Sequence, residues 1–591
     1  MKSFLKTMFA TIVGTVVGSL ILFFIFSAIV GAVIFENQEP TNKVSDSTVL
    51  HLDLHGRLVE KASPIRFDLP FAKPFWSNYQ DIGIYDVNEA LESAQEDPRV
   101  KGLYIKIGSL EGGWAGMTSL RRSISEFKKS GKFVAVYADS YDEQTLYLAS
   151  IADTLAIQPN GSVEFNGLSS TPMFLKGLLD KLEVTPRIFR VGKFKSAIEP
   201  LILDKMSDEN RFQYQALLDS IWSHTKKEIG ASLKLEPGDL DQIASGLEVD
   251  SSKTAQEKGL VGHLMYEHQL MQKLEADLKI KDPDQLNLVT LHEYMKSNTT
   301  KKKNLTAKNK VAVLIADGEI TSGESGEENI GSESFKETLR EIEEDDTIKA
   351  VVLRVNSPGG DALASDTMWA ELNSLDEKIP LVSSFSNVAA SGGYYIGVAA
   401  RYIFSEADTL TGSIGVFGIL MDTEKFFKNK AGVNFDRVVT NAHSDLGNAN
   451  RPMEEIESKF IQGGVNQIYT RFLAVVNDGR KDKLKQPLPE IAEGRVWSGE
   501  QAQELGLVDE IGGLPAAIQK AAALAEIGDD YGIEIWPKND DPFAQFAEQL
   551  MGASAKTALG DDVIKFAKQI GRLQKMKSGV YALDPVQISI H

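Results

Sequence analysis

The distribution of apolar and polar residues divides the chain into an uncharged, apolar start and a long alternating body. No charged residue lies between Lys6 and Glu36, and residues 7–35 include the run LILFFIFSAIVGAVIF. About 20 apolar residues are enough for a helix to span a bilayer, whereas the apolar region of a cleaved signal peptide has only about 7–15. The pattern therefore predicts a retained transmembrane signal anchor in residues 1–35.

Charged residues around this run predict its orientation. Lys2 and Lys6 precede it, and Glu36 and Glu39 follow it. The positive-inside rule then places the N-terminus in the cytoplasm and the body on the other side of the membrane. The chain has a formal net charge of −20, and without the two lysines the body carries 61 basic and 83 acidic residues, or −22. Such a body is not expected to bind nucleic acid or anionic lipid through general electrostatics.

Apolar strands followed by small-residue turns occur twice in the body, at a fixed offset. VKGLYIKIGSLEGG from Val100 resembles IKAVVLRVNSPGGD from Ile348, an offset of 248 residues. FVAVYADSYDEQTLYLASIA from Phe133 aligns with LVSSFSNVAASGGYYIGVAA from Leu381 at the same offset. Because chance does not keep one register over about 70 residues, this pattern predicts a tandem duplication. Strands alternate with helical patterns in each copy, which predicts α/β units with largely parallel sheets.

The duplication and the composition predict five segments. The stretch KSNTTKKKNLTAKNK has six lysines and almost no apolar residues, so it is interpreted as an exposed linker. Beyond Asp540 the pattern becomes helical and amphipathic. The predicted segments are the anchor (1–35), a first half (45–295), a basic linker (296–310), a second half (311–540) and a helical tail (541–591).

Length and composition limit the possible functions. A chain of 591 residues is too long for one ordinary domain, and its 42% apolar and 25% charged residues are typical of globular proteins. This balance argues against a polytopic transporter. The chain has no cysteine, which excludes disulfides, a thiolate nucleophile and a cysteine-bound zinc site.

Two segments of the second half are suited to acyl chemistry. In NSPGGDA, residues 356–362, adjacent glycines after a strand allow the backbone to direct N–H groups at a developing oxyanion. Pro-Gly-Gly is also an ordinary turn. In NVAASGGYYIG, residues 387–397, Ser391 lies at the start of a helical pattern, where a nucleophile or a simple N-cap would lie.

The duplication helps to distinguish these interpretations. At the offset of 248, Ser391 corresponds to Glu143, and Pro358-Gly359 corresponds to Leu110-Glu111. A residue that only the scaffold required should occur in both copies. Its presence in one copy therefore favours Ser391 as a nucleophile.

A serine nucleophile needs a base, and the sequence leaves two kinds open. His443 and Asp445 could form a Ser391–His443–Asp445 triad, although they lie in TNAHSDLGN, which is rich in turn formers. Alternatively, RVGKFKSAIEP of the first half contains Lys193 and Lys195, and its counterpart in the second half contains no lysine. Lowering a lysine pKa from about 10.4 to about 7 costs about 4–5 kcal/mol, which burial at an apolar interface can supply.

Four segments together resemble the signal peptide peptidase A family in its long, duplicated form. They are FKSAIEP, RVNSPGGDALAS, AASGGYYI and DTLTGSIGVFG. The resemblance implies an α/β fold, a tandem duplication of the spiral of ββα units found in Clp protease and crotonase, preceded by one transmembrane helix. It also implies a membrane-anchored serine endopeptidase that degrades cleaved signal peptides and other unfolded apolar peptides through a Ser/Lys dyad and an acyl-enzyme.

The same resemblance implies the roles of individual residues. Ser391 is expected to be the nucleophile and Lys195 the general base, with Lys193 only a neighbour. The oxyanion donors are expected to come from Gly392 and from Gly359 or Gly360, and Ser413 is expected to orient the lysine amine. No metal or cofactor is expected.

The resemblance further implies a location and an assembly. The protein is expected in the bacterial inner membrane as a single-pass protein, with its catalytic body in the periplasm and a homo-oligomeric, tetrameric state. Besides the triad hydrolase, the sequence leaves two alternatives to a Ser/Lys protease. One is a crotonase-like acyl-CoA enzyme with the same glycine donors, and the other is a non-catalytic membrane scaffold.

Overall fold

The structure is a computed structural model that describes Gly18 and residues 44–62, 80–280, 286–297, 307–326, 329–538 and 579–583. The predicted anchor, residues 1–35, lies outside these ranges apart from Gly18. None of the helices in these ranges combines the length and the apolar character needed to cross a membrane.

Within the described residues, the first half contains eight strands, seven of which form one parallel sheet. The strands are β1 (Thr48–Val59), β2 (Gln80–Gly83), β3 (Val100–Glu111), β4 (Phe133–Tyr141), β5 (Thr154–Val163), β6 (Thr185–Val191), β7 (His263–Leu264) and β8 (Asn287–Thr290). The order is β2-β1-β3-β4-β5-β7, with β8 paired to the start of β1. Only β6 belongs to another sheet.

Helices cover this sheet and extend beyond it. They are α1 (Ile84–Glu96), α2 (Trp114–Lys129), α3 (Glu143–Ala149), α4 (Lys176–Leu182), α5 (Glu199–Ile202), α6 (Asp208–Leu233), α7 (Pro237–Ser245), α8 (Ser252–Glu257), α9 (Glu267–Asp277) and α10 (Leu291–Ser297). Apolar side chains of α1 and α2, such as Leu91, Leu120 and Phe127, are buried in one core with Leu103 and Val136 of the sheet. The hydrophobic faces of α1 and α2 thus fix these two helices to the strands.

The second half has the same construction. Its strands are β9 (Lys310–Asp317), β10 (Glu319–Thr321), β11 (Asn329–Gly331), β12 (Ile348–Ser357), β13 (Gly359–Asp361), β14 (Leu381–Ala390), β15 (Tyr402–Ser405), β16 (Leu410–Gly412), β17 (Val416–Asp422), β18 (Val496–Ser498), β19 (Glu510–Ile511) and β20 (Gly532–Trp536). The central order is β18-β16-β14-β12-β9-β20, and each pairing in it except β16 with β18 is parallel.

The helices of the second half repeat the spacing of the first. They are α11 (Ser332–Glu344), α12 (Ala362–Lys378), α13 (Gly392–Gly397), α14 (Glu424–Phe426), α15 (Glu455–Arg480), α16 (Leu488–Ile491), α17 (Gly499–Leu505) and α18 (Leu514–Leu524). The elements β3, α2 and β4 begin 248 residues before β12, α12 and β14. The predicted α/β class and the predicted duplication are therefore confirmed, whereas the segment boundaries and the likeness to the Clp protease spiral stay predictions.

A third sheet joins the halves. Its order is β11-β10-β13-β21-β17-β6, where β21 is Gly579–Leu583. Strand β6 of the first half pairs antiparallel with β17 of the second over seven residue pairs, from Val191 opposite Val416 to Thr185 opposite Asp422. This pairing brings the chain after β6 to the chain before β17.

A short part of the C-terminal segment differs from its predicted structure, and the rest of the predicted tail stays a prediction. Residues 541–591 were expected to form a helical tail, and most of them lie outside the described residues. The part that the structure describes is not helical, because Gly579–Leu583 forms β21 and pairs antiparallel with both β13 and β17.

A buried ion pair also crosses between the halves. Arg354 Nε of β12 donates to Glu60 Oε2 of the first half at 2.7 Å, and both side chains are at most 4% exposed. Arg354 Nη1 also donates to Ser384 Oγ at 2.9 Å, and Ser386 Oγ donates to Glu60 Oε1. The charges are thus compensated by one another and by hydroxyl groups, as buried charges require.

Removing one member of this pair leaves the other charge buried without its partner. We expect Glu60→Ala to lower the free energy of unfolding by about 3–5 kcal/mol in urea denaturation of the purified full chain. Asp81→Ala is the control, because it breaks the half-exposed ion pair with Arg57 and should cost less than about 1 kcal/mol. Equal effects of the two variants would contradict the importance of the buried pair.

Candidate active site

Ser391 lies at a strained turn between β14 and α13. Its backbone has φ +55° and ψ −114°, a conformation that residues other than glycine rarely adopt. The Ser391 N–H donates to Gly412 O at 2.8 Å, and the Ser391 carbonyl accepts from Tyr395 N–H at 2.8 Å. These two bonds hold the strained residue between β16 and the first turn of α13, and its side chain is completely buried.

Lys195 comes from the first half and reaches this serine. It follows β6 and is completely buried. Its Nζ donates to Ser391 Oγ at 2.9 Å, to Ser413 Oγ at 2.9 Å and to Ser413 O at 3.2 Å. These three oxygens are uncharged, and complete burial disfavours the charged form of an amine. The structure therefore brings together the predicted nucleophile, the predicted base and the predicted orienting serine.

The two lysines of the same segment have different environments. Lys193 is exposed, with its Nζ 5.4 Å from the ring centroid of Phe194, whereas Lys195 is buried. Residue type and spacing alone did not show which of the two lysines is buried.

The histidine triad is not formed. His443 Nδ1 lies 3.3 Å from Glu457 Oε1, and its side chain is 39% exposed. The Asp445 carboxylate accepts hydrogen bonds from Arg451 and Arg437, which hold its pKa well below the usual range. The alternative Ser391–His443–Asp445 arrangement is therefore wrong: Asp445 is paired with arginines, and His443 lies against another acid.

A loop of the second half holds the lysine against the serines. Phe194 N–H donates to Glu493 O at 3.0 Å, and Ser413 N–H donates to Arg495 O at 2.7 Å. Between these two contacts Gly494 has φ +77°, and a Cβ there would lie 2.7 Å from Lys195 Cβ. Glycine is thus required at this position both for its backbone conformation and for space.

The predicted oxyanion glycines differ in their surroundings. Gly392 is the first residue of α13, directly after Ser391. Gly359 has φ +97°, and its N–H donates to Ser357 Oγ at 3.2 Å. Gly360 pairs with Ile320 of β10 and with Ala582 of β21, and a Cβ on it would lie 1.9 Å from Ile320 O. Their roles as donors stay predictions.

The equivalent place in the first half is occupied by a carboxylate. Glu143 begins α3 directly after β4, as Ser391 precedes α13 after β14. Its Oε1 accepts from the N–H groups of Asn166 and Gly167 at 2.7 and 3.1 Å. Burial raises the pKa of Glu143, and these two hydrogen bonds oppose that rise. The first half therefore has a hydrogen-bonded acid at the position of Ser391 and lacks the positive φ of that serine.

Sequence reasoning missed Gly494 and the support around the lysine. No local motif marks Gly494, which lies about 300 residues from Lys195 in the chain. Only a pattern of covariation between the halves could have found it. No group of three or more acidic or histidine side chains in the described ranges is arranged to hold a metal ion.

Comparison with known proteins shows what this chain is similar to. The sequence profile of peptidase family S49 matches residues 126–281 and 373–528. Protease 4 of Haemophilus influenzae is 36% identical over 469 residues, which cover 77% of this chain and 75% of that protein. Protease 4 of Salmonella typhi is 31% identical over 528 residues, covering 86% and 83%. The chloroplastic serine protease SPPA of Arabidopsis thaliana is 32% identical over 501 residues, covering 83% and 71%.

A methyl group at Gly494 should displace the lysine. We expect Gly494→Ala to slow acylation of Ser391 by a serine-reactive probe by about 100-fold, because misplacing a reacting group by about 1 Å has an effect of that order. Gly432→Ala is a matched control: its φ is +67°, and a Cβ there meets nothing within 4 Å. It should label at the wild-type rate. Similar losses in both variants would mean that backbone strain, and not displacement of Lys195, is responsible.

Proposed function

The chain belongs to peptidase family S49 and is a serine protease. On that premise we propose that it cleaves unfolded apolar peptides, signal peptides among them. In this proposal Ser391 is the nucleophile and Lys195 is the general base. The observation that carries this proposal is the 2.9 Å contact between Lys195 Nζ and Ser391 Oγ, in a site where both side chains are fully buried. Family membership does not favour the acyl-CoA enzyme or the non-catalytic scaffold.

Acylation begins with a proton transfer across that contact. The neutral amine of Lys195 takes the proton of Ser391 Oγ, and the oxygen attacks the carbonyl carbon of the scissile peptide bond. Negative charge then develops on the carbonyl oxygen, where the N–H of Gly392 and that of Gly359 or Gly360 stabilise it. For Gly359 this requires that its N–H exchange the Ser357 hydroxyl for the substrate oxygen.

The protonated lysine completes the cycle. It gives its proton to the nitrogen of the departing peptide as the C–N bond breaks, which leaves an ester on Ser391. A water molecule, deprotonated by the same amine, then attacks the ester carbonyl carbon. The bond between that carbon and Ser391 Oγ breaks, the amine returns the proton to Oγ, and the peptide leaves with a new C-terminal carboxyl group. Ser413 supports both steps, since its Oγ and carbonyl oxygen fix the direction of Nζ.

The third sheet supports an extended peptide as the substrate. Strand β21 lies between β13 and β17 and pairs with each of them antiparallel, with Leu583 opposite Gly359 and Tyr581 opposite Phe417. A single extended segment is thus bound through its backbone on both edges beside the proposed oxyanion glycines. Backbone pairing of this kind accepts many sequences but needs an unfolded chain.

We also propose the cellular setting that the resemblance implies. Residues 1–35 anchor the protein in a bacterial inner membrane as a single span, with the N-terminus in the cytoplasm and the catalytic body in the periplasm. The uncharged run of residues 7–35 supports the anchor, and the lysines before it support the orientation.

A homo-oligomer, with a tetramer implied by the resemblance, belongs to the same proposal. Large apolar side chains of the second half are exposed around α14 and the start of α15, including Val438 at 95%, Phe460 at 71% and Ile456 at 61%. Contact with another copy of the chain would remove these side chains from water.

The dyad is tested by separate removal of its members. We expect Ser391→Ala and Lys195→Met each to lower kcat/KM for an unfolded, apolar fluorogenic peptide by about 10³-fold or more. Lys195→Met keeps the length of the side chain but has no basic group. Lys193→Ala and His443→Ala are controls on an exposed lysine and on the rejected triad, and both should stay within about twofold of wild type. Activity that survives Lys195→Met but not His443→Ala would overturn the proposal.

The pH dependence tests the lysine base independently. Only the neutral amine can accept the serine proton, so activity should fall as the pH drops and Lys195 becomes protonated. We expect log kcat/KM to decrease by about one per pH unit on the acid side. Circular dichroism over the same range is the control that the protein stays folded. A flat acid side, or a fall only near pH 4 where carboxylates titrate, would contradict a lysine base.

A further inference from the structure

The lysine segment needs its own support, because Lys195 is not part of a regular strand or helix. It lies between β6 and a short 3₁₀ turn at Ser196–Ile198. Its backbone N–H donates to Gly192 O at 3.2 Å, which is one turn contact within the segment. The position of Nζ relative to Ser391 therefore depends on what holds the residues on either side of Lys195.

Gln213 contacts both of these neighbours. It lies on the buried side of α6 and is 3% exposed. Its Nε2 lies 3.1 Å from Phe194 O, 2.6 Å from Ser196 Oγ and 3.0 Å from Asn210 Oδ1, so these three acceptors share its two N–H groups. One amide group thus holds the residue before Lys195 and the residue after it.

The other end of the same amide reaches the second half. Gln213 Oε1 accepts from Val496 N–H at 3.3 Å. Val496 begins β18, which pairs with β16, and β16 ends at Gly412, the residue before Ser413. Gln213 is therefore shared between the lysine segment and the strand pair that leads to Ser413.

A second group of polar residues holds Gln213 and the turn after the lysine. Asn210 Oδ1 accepts from Gln213 Nε2 at 3.0 Å, and Asn210 Nδ2 donates to Glu199 Oε2 at 2.9 Å. Glu199 Oε1 also accepts from Ser207 Oγ at 2.5 Å, and Ser207 is the N-cap of α6. Glu199 directly follows the 3₁₀ turn and begins α5, and its carboxylate is thus fixed to the same helix as Gln213.

We infer that Gln213 is a positioning residue of the active site, which fixes Lys195 relative to Ser391 and Ser413 by bonding Phe194, Ser196 and Val496 at once. It does not contact the reacting atoms itself. The contacts also account for Ser196 and Glu199 in the motif FKSAIEP, since both side chains bind the network around Gln213. The inference rests on the proposed function, because it assumes that Lys195 acts on Ser391.

Two substitutions test the inference in the full-length protein. Gln213→Leu removes both the donors and the acceptor at similar volume. Gln213→Glu keeps the shape of the side chain and the acceptor for Val496 N–H, but its carboxylate cannot donate to Phe194 O. This variant provides the test if Gln213→Leu does not fold. Gln215→Leu is the matched control, because Gln215 lies on the same helix, is exposed and bonds only to Asp219 among the contacts described for it.

We expect both Gln213 variants to lower kcat for the apolar peptide by about 10- to 100-fold while KM changes less than about twofold. The acid side of the pH profile should also move to higher pH by about one unit. Both changes favour the protonated amine of Lys195. In Gln213→Leu the loosened segment admits water to the amine, and in Gln213→Glu a negative carboxylate lies beside the lysine segment. The charged residues that contact this segment, Glu199, Glu493 and Arg495, are unchanged in every variant. Gln215→Leu should match wild type in all three quantities.

The outcomes separate this inference from the proposed function. A purely structural role would lower the thermal midpoint and the fraction of sites that a titrant labels, without moving the pH profile, and this result would overturn the inference. Wild-type kcat in both Gln213 variants would overturn it as well. If instead Lys195→Met kept its activity, the proposed function itself would fail, whatever the Gln213 variants did.

Discussion

The backbone pairing of β6 with β17 is the contact on which the active site depends. Lys195 lies four residues after Val191, and Ser413 lies three residues before Val416, and these two strand ends are opposite each other. A slip of one residue would move the lysine by about 3.3 Å and turn the side chains of β6 to the other face of the sheet. The 2.9 Å contact of Nζ with Ser391 Oγ would not survive such a shift. The register of two strands from different halves therefore determines whether Lys195 and Ser391 meet.

The duplicated fold explains why the two halves, as far as the structure describes them, form a single site with Ser391 and Lys195. Each half has a strand that is followed at once by a short helix, but the position at this junction is Glu143 in the first half and Ser391 in the second. The lysine, in contrast, is supplied by the first half alone. Each copy has kept the element that the other lacks, so neither half contains the dyad by itself. Buried contacts between the halves, such as Arg354 with Glu60, hold together the two parts that supply these residues.

How far the sequence could predict this arrangement differs from residue to residue. Ser391 could be singled out because the duplication offers an internal comparison at a known offset. Lys195 could not be separated from Lys193 by residue type or spacing, and only the family resemblance distinguished them. Gly494 and Gln213 could not be found from this sequence alone, since neither has a local pattern and their contacts across the two halves, with Lys195 and with Val496, join residues about 300 apart in the chain. The helical period of the tail did not predict β21, because its pairing depends on the two strands beside it rather than on its own sequence.

Burial of Lys195 connects the fold to the protonation state of its amine. Keeping an amine neutral near pH 7 opposes its ordinary preference by about 4–5 kcal/mol, and that free energy must come from contacts that exclude water. Around Lys195 these contacts come from both halves. Ile198 and Leu201 share one apolar cluster with Phe417 and Ile419, and Gly494 lies directly against the lysine backbone. The proposed role of Lys195 as a base therefore requires that the two halves stay packed together, because their separation would hydrate the amine and favour its charged form.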